Sequence, residues 1–345
     1  MRTHRALLSS LFFALVASAT AGQDLYTLSG RIASDAGGAW DYAIIDAANG
    51  RLYLAQSGVT AVDLKTAAVT PRLVTAKMSH GLALLDDGAI AVDDAVAEVI
   101  TVFEGSTGKI LSTIATARYT KVPGTHALDA LVREPKSGLL IAVDGESGQL
   151  LMVDVRQSRV LGTIALHGKP EFAVADGTGK LLVNVNHGRR SEIVTVDVGR
   201  HALVKRVALA GCEGATGLAY DEADRLVMSV CDNGWFKVID LQTDRPVASL
   251  AVGRGADAVM FDPTRRRAFV AAGESGTLSV IAVRGAHDIA LLQTLSTRVG
   301  TRLGAVDPVS GRLYLPAARF GPPKPPLPYP TVLPGSFEFL IASPR

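Results

Sequence analysis

Seven side chains of the 345-residue chain recur at nearly even intervals: Asp41, His80, Asp129, Glu171, Thr216, Asp257 and Arg302. They comprise four carboxylates, an imidazole, a hydroxyl and a guanidinium. Gathered at one place, the four acids would repel one another unless Arg302, a bound cation, water or a proton compensated them. That chemistry suits a polar cup for a small ligand or a protein partner, or an oxygen-rich cation site for which Ca²⁺ or Mg²⁺ is the fitting metal. Glu171, Asp257 and Asn184 are the candidate metal ligands. His80 is the candidate base if the same place were a divalent-cation-dependent hydrolase, lactonase or lyase. The competing expectation is structural, with these side chains bonding neighbouring backbone. A second set, Asp93, Asp94, Asp144, Asn184, Asn186, His187, Asp232 and Asn233, falls at the ends of second strands, which are expected on the same face. Its spacing is not that of a compact calcium loop, and His80 and His187 have no third zinc partner in evidence. No G-x-S-x-G, H-E-x-x-H or phosphate-loop motif occurs. No cofactor is assigned with certainty, and a binding protein is the leading expectation over an enzyme.

The elements that must position these residues form a repeat. Successive ring positions are between 39 (Asp41 to His80) and 49 (His80 to Asp129) residues apart. Each unit has an apolar strand, an acid-containing turn, Gly-Arg or Gly-Lys with a second strand, then a third strand ending in Val-Asp-Leu or similar. Ile44-Ile45-Asp46 to Gly50-Arg51-Leu52-Tyr53-Leu54 matches Ala305-Val306-Asp307 to Gly311-Arg312-Leu313-Tyr314-Leu315. A period of ~40–45 residues with four short strands is the signature of a β-propeller. The expected fold is therefore all-β, a seven-bladed β-propeller over residues 22–345. Leu25 to Ile32 lacks a blade of its own and is expected to be the outer strand of the last one, which closes the ring. The proline-rich stretch 320–334 is expected to be a loop or extended arm, since proline cannot donate to a sheet ladder. Trp40 and Trp235 are either mouth aromatics or buried between blades.

Arg2 and Arg5, the apolar run Ala6 to Ala17 and Ala19-Thr20-Ala21 read as a cleaved signal peptide over 1–21. The apolar run is shorter than the ~20 residues of a spanning helix, so a periplasmic or secreted protein with no membrane insertion is expected. Removing it takes Lys+Arg from 35 to 33 against 33 Asp+Glu, a neutral mature chain. Neutrality argues against a nucleic-acid surface, and the one dense basic run, Arg265-Arg266-Arg267, reads as a solvated hairpin tip. In an exported protein the two cysteines, Cys212 and Cys231, favour a disulfide over a redox-active pair, there being no C-x-x-C spacing. A monomer is expected.

Several segments carry a family resemblance: Gly168-Lys169-Pro170-Glu171-Phe172-Ala173-Val174-Ala175-Asp176 with Leu182-Val183-Asn184-Val185, and Cys212-Glu213-Gly214-Ala215-Thr216-Gly217-Leu218 with Ser229-Val230-Cys231-Asp232-Asn233. Trp40-Asp41-Tyr42 and Val332-Leu333-Pro334-Gly335-Ser336-Phe337 add to it. The chain resembles the YncE-like, YVTN-repeat propellers over essentially its whole mature length. That resemblance implies seven blades and a secreted or periplasmic location, with no generally established activity.

Overall fold

A computed structural model describes residues 25–120, 128–323 and 330–345. The signal-peptide expectation for 1–21 and the tip of the proline-rich segment lie outside the described residues.

The acid-containing turns of the repeat have a direct physical role. Asp46 accepts from the Asn49 amide, Glu134 from Lys136 and Ser137, Asp176 from Thr178 and Lys180, and Asp307 from Val309. Each carboxylate closes its own turn by taking up amides that would otherwise be unpaired. The strands between these turns are short and apolar on both faces. Leu140–Asp144 and Leu226–Cys231 are buried throughout, as strands sandwiched between two neighbouring sheets must be.

The described residues form seven four-stranded antiparallel sheets and one two-stranded ribbon. The innermost strands of blades 1 to 7 are Ala43–Asp46, Leu82–Leu84, Leu128–Arg133, Lys169–Ala175, Ala215–Asp221, Ala256–Asp262 and Ala305–Val306. The last blade runs outward from Ala305–Val306 through Leu313–Ala317 and Glu338–Pro344 to Tyr26–Ala33. Tyr26 lies opposite Pro344 and Ala33 opposite Glu338. The expected closure by the N-terminal strand is therefore present, and it leaves no unpaired edge between first and last blades.

The core lies between blades. Tyr53, Val59, Val92 and Phe103 pack between blades 1 and 2, and Ile141, Leu150, Val183 and Val196 between blades 3 and 4. Each fully buried side chain of this kind contributes about 1.5–3 kcal/mol. Around the axis the inner strands approach so closely that a Cβ on Gly217 would sit 2.7 Å from Ala258 Cα.

Of the two alternatives for 320–334, loop or extended arm, the described residues fit the arm: Phe320–Pro323 and Pro330–Val332 pair as an antiparallel ribbon, Phe320 opposite Val332. A ladder this short tolerates proline because the other residues supply its donors. One expectation is corrected: Arg265-Arg266-Arg267 is not a solvated tip. Arg266 reaches back to Asp221 (2.6 Å) and Asp224 of blade 5. Arg265 bonds Asp262 within its own turn and donates to the Pro308 and Val309 carbonyls of blade 7. Similar clasps join other blades on this face, as in Arg133 to Asp86 (2.6 Å) and Lys136 to the Thr178 carbonyl. The turns of adjacent blades lie close enough for long basic side chains to bridge them.

Candidate functional site

All seven ring positions stand at or just before the start of an innermost strand, so they share one face of the propeller, the mouth. Their charges act on one another across the axis: Asp41 of blade 1 feels Asp129 of blade 3 and Asp257 of blade 6, and Asp129 feels Glu171 of blade 4.

The four acids are not equivalent. Arg302 Nε lies 2.9 Å from Asp257 Oδ2, and Lys169 Nζ 3.2 Å from Glu171 Oε1. Asp41 and Asp129 have no such partner among the described residues. Burial raises the pKa of Asp41 well above the usual carboxylate range, reinforced by the charges of Asp129 and Asp257 and opposed by His80 and Arg302. Burial is also the main cause for Asp129, which the Glu171 charge helps push up to about 7 against the pull of His80. Asp257 and Glu171 are raised by burial as well, with Arg302 and Lys169 respectively holding them back.

His80 is the cationic hinge of the mouth. Its Nδ1 lies 2.9 Å from the Leu128 carbonyl and 3.7 Å from Asp93 Oδ2. Asp93 is fully buried, and its other oxygen accepts from the His80 and Gly81 amides. Burial alone would lower the imidazole pKa, but the nearby carboxylate of Asp93, then the charges of Asp41 and Asp129, outweigh it and lift it to about 9. A protonated Nδ1 donating to the Leu128 carbonyl fits that state.

One step further along the inner strands, two aromatic rings meet in the channel. Tyr42 and Phe172 meet with centroids 4.7 Å apart. Tyr42 stands under all four acids: burial raises its pKa well above 10, with added contributions from Asp129, Asp257, Asp41 and Glu171. Beneath the pair lies an apolar cavity of about 460 Å³, lined by residues such as Ile44, Leu82, Val174 and Val259 and by none of the ring acids. The mouth is thus a shallow polar cup with an aromatic floor.

Other expected site residues have structural work. Thr216 Oγ1 donates to the Ala256 carbonyl of blade 6 (2.8 Å). Asn184, a candidate metal ligand, is buried, donates to the Thr216 and Gly217 carbonyls and accepts from Ser229 Oγ, so its oxygen is occupied within the fold. Asn186 donates to the Ala215 carbonyl, and His187 Nε2 lies 2.7 Å from Glu192 Oε1. Asp94 and Asp144 close turns by accepting from backbone amides, and Asn233 does likewise with Glu213. Among the described residues no three His, Cys, Asp or Glu side chains stand close enough to hold a metal ion. Cys212 and Cys231 are disulfide-bonded, with Cα atoms 5.4 Å apart, tying the entry of blade 5 to the end of its second strand. Trp40 is buried against Phe337 and Phe320, whereas Trp235 stays partly exposed under Lys237. Lys169, Tyr42 and Phe172 were not among the expected site residues. Lys169 was accessible from sequence, since positions two apart on a strand share a face and it precedes Glu171 by two.

No family model matches the chain, and no curated protein matches it in sequence. Solved structures match its shape. The RRP9 WD40 repeats superpose with a TM-score of 0.71 at 12% identity, covering 92% of this chain and 97% of that one. The β-propeller domain of Myceliophteria thermophila Cps50 (Swd1) gives 0.70 at 13%, covering 92% and 99%. A chain of Kuenenia stuttgartiensis hydrazine synthase gives 0.67 at 12%, covering 88% and 96%. At such identities the likeness concerns the fold alone, a seven-bladed β-propeller. Among the described residues no helix is long and apolar enough to cross a membrane.

Proposed function

We propose that the chain is an exported, YncE-like propeller that acts as a binding or scaffold protein and takes a positively charged group into its mouth. One observation carries this: among the described residues Asp257 and Glu171 are in ion-pair contact with their own cations, while Asp41 and Asp129 stand over the aromatic floor with no basic side chain in such contact, only the charge of His80 acting on them. Two carboxylates held at raised pKa are poised to exchange protons for an ammonium or guanidinium group, and the Tyr42 and Phe172 rings suit a cation from below. The alternative, a divalent-cation-dependent hydrolase or lyase, has less support, because Asn184 is taken up by Ser229 and Glu171 and Asp257 by basic side chains.

Calorimetric titration of the full chain with arginine amide and with spermidine tests the proposal. Binding should strengthen from pH 6 to 8 as Asp129 ionises, weaken with salt and fall at least tenfold in Asp129→Asn. An absence of binding by both cations would refute it. Stoichiometric Ca²⁺ or Mg²⁺ uptake with ester or lactone hydrolysis, both lost in Glu171→Ala, would favour the alternative.

A further inference from the structure

Several exposed apolar side chains gather on the mouth face. On the mouth face Val299 is 63% exposed, and Phe320, Leu333, Met78, Val96 and Trp235 are partly exposed. On the opposite face the turns are closed by carboxylates and bridged by arginines, and Val309 and Leu84 are exposed there in separate blades.

Five of the six mouth residues form an arc. Val299 precedes the inner strand of blade 7, and a Cβ on the neighbouring Gly300 would fall 2.2 Å from the Phe320 ring. Leu333 lies against Gly321 on the same ribbon. Phe320 stacks on Trp40 of the blade 1 entry, 5.9 Å between centroids. Beyond blade 1, Met78 and Val96 are held side by side because Asp94 Oδ1 accepts from both of their amides. Asp41 directly follows Trp40 and so lies at the inner edge of this arc.

We infer that this face docks a protein segment presenting an Arg or Lys side chain, which enters the mouth beside Asp41 and Asp129 while its apolar neighbours cover Val299, Phe320 and Met78. The inference rests on the cation-binding reading of the mouth and adds the class of partner. A free small cation would satisfy the carboxylates but leave the arc in water. A chain segment covers both, matching charge to charge and apolar surface to apolar surface. Arginine is suited to such an anchor because its stem is apolar and its head planar.

The test uses random dodecapeptides displayed on phage and selected on the immobilised full chain. Selected peptides should carry Arg or Lys with an apolar residue within two positions and, made synthetically, should bind at least tenfold more tightly than arginine amide. Val299→Ser combined with Phe320→Ser should remove that advantage while leaving arginine amide affinity unchanged, and Val309→Ser on the opposite face should change nothing. If the double variant loses its fold by circular dichroism, Val299→Ser alone serves the same purpose, since that side chain is 63% exposed. Selection of peptides without the basic–apolar pattern, or an advantage that survives in the variants, overturns the inference. If arginine amide binds but peptides gain nothing over it, the docking inference fails and the cation-binding mouth stands. If neither binds, both fail.

Discussion

The rings of Tyr42 and Phe172 meet 4.7 Å apart at an interplanar angle of 41°, one entering from blade 1 and the other from blade 4. In a ring of seven, two blades three places apart are as distant as blades can be, so this contact spans the channel and divides the acid mouth from the apolar cavity below. Phe172→Ala should remove the floor and cost about 1–3 kcal/mol, less than a fully buried phenylalanine because the ring is only partly buried. A double-mutant cycle with Tyr42→Ala, read by urea denaturation, should return a coupling of about 0.5–1.5 kcal/mol. Strict additivity would mean that the rings are neighbours without interaction.

The mouth predicts a pH dependence of stability with a definite sign. Asp129 is raised to about 7, so its protonated form is favoured by folding. Its contribution is fully present below the unfolded value near 4 and is lost as pH rises through about 7. His80, raised to about 9, contributes fully below about 6.5 and loses that contribution as pH rises through 9. Asp129→Asn, which stays neutral, should therefore be more stable than the parent at pH 8 by roughly 1–3 kcal/mol and nearly equal to it at pH 4. Denaturation at both pH values measures the difference; a variant less stable at pH 8 would contradict the electrostatic account.

The disulfide closes a loop with a sequence separation of 19 residues. On the chain-entropy model, Cys212→Ala with Cys231→Ala should lower stability by ~3 kcal/mol. Both half-cystines are buried, so intact protein should resist mild reductant until it is partly unfolded. Rapid thiol labelling of the native state after brief reduction would count against this.

Arg266 supplies the cation for Asp221, which is almost wholly buried. Arg266→Ala leaves that carboxylate without its partner and should cost about 3–5 kcal/mol. Arg266→Lys should recover only part of the loss, since an ammonium cannot reach Asp221 and Asp224 with the same fork. Thermal denaturation of the two variants decides it, and equal, negligible effects would return the basic run to a solvated role.

What the sequence determined by itself is what is encoded locally and repeated. Val-Asp-Leu strand ends, acid-closed turns and ring positions about forty residues apart specify each blade within its own segment, because alternation and turn chemistry act over a few residues. From these the seven blades, a closing strand over Leu25 to Ile32 and the pairing of Cys212 with Cys231 could be expected, and the common face of Asp41, His80, Asp129, Glu171, Thr216, Asp257 and Arg302 followed from the repeat. Tertiary structure alone decided what each of those residues meets. That Arg302 takes up Asp257, that Asn184 is a staple between blades, that Arg265 and Arg266 are clasps, and that Tyr42 reaches Phe172 across the axis are all contacts between separate blades, whereas Lys169 meets Glu171 within one strand of blade 4. No periodicity within one blade carries that information, because a side chain's partner across an interface depends on how two sheets pack, and packing is set by the closed ring as a whole.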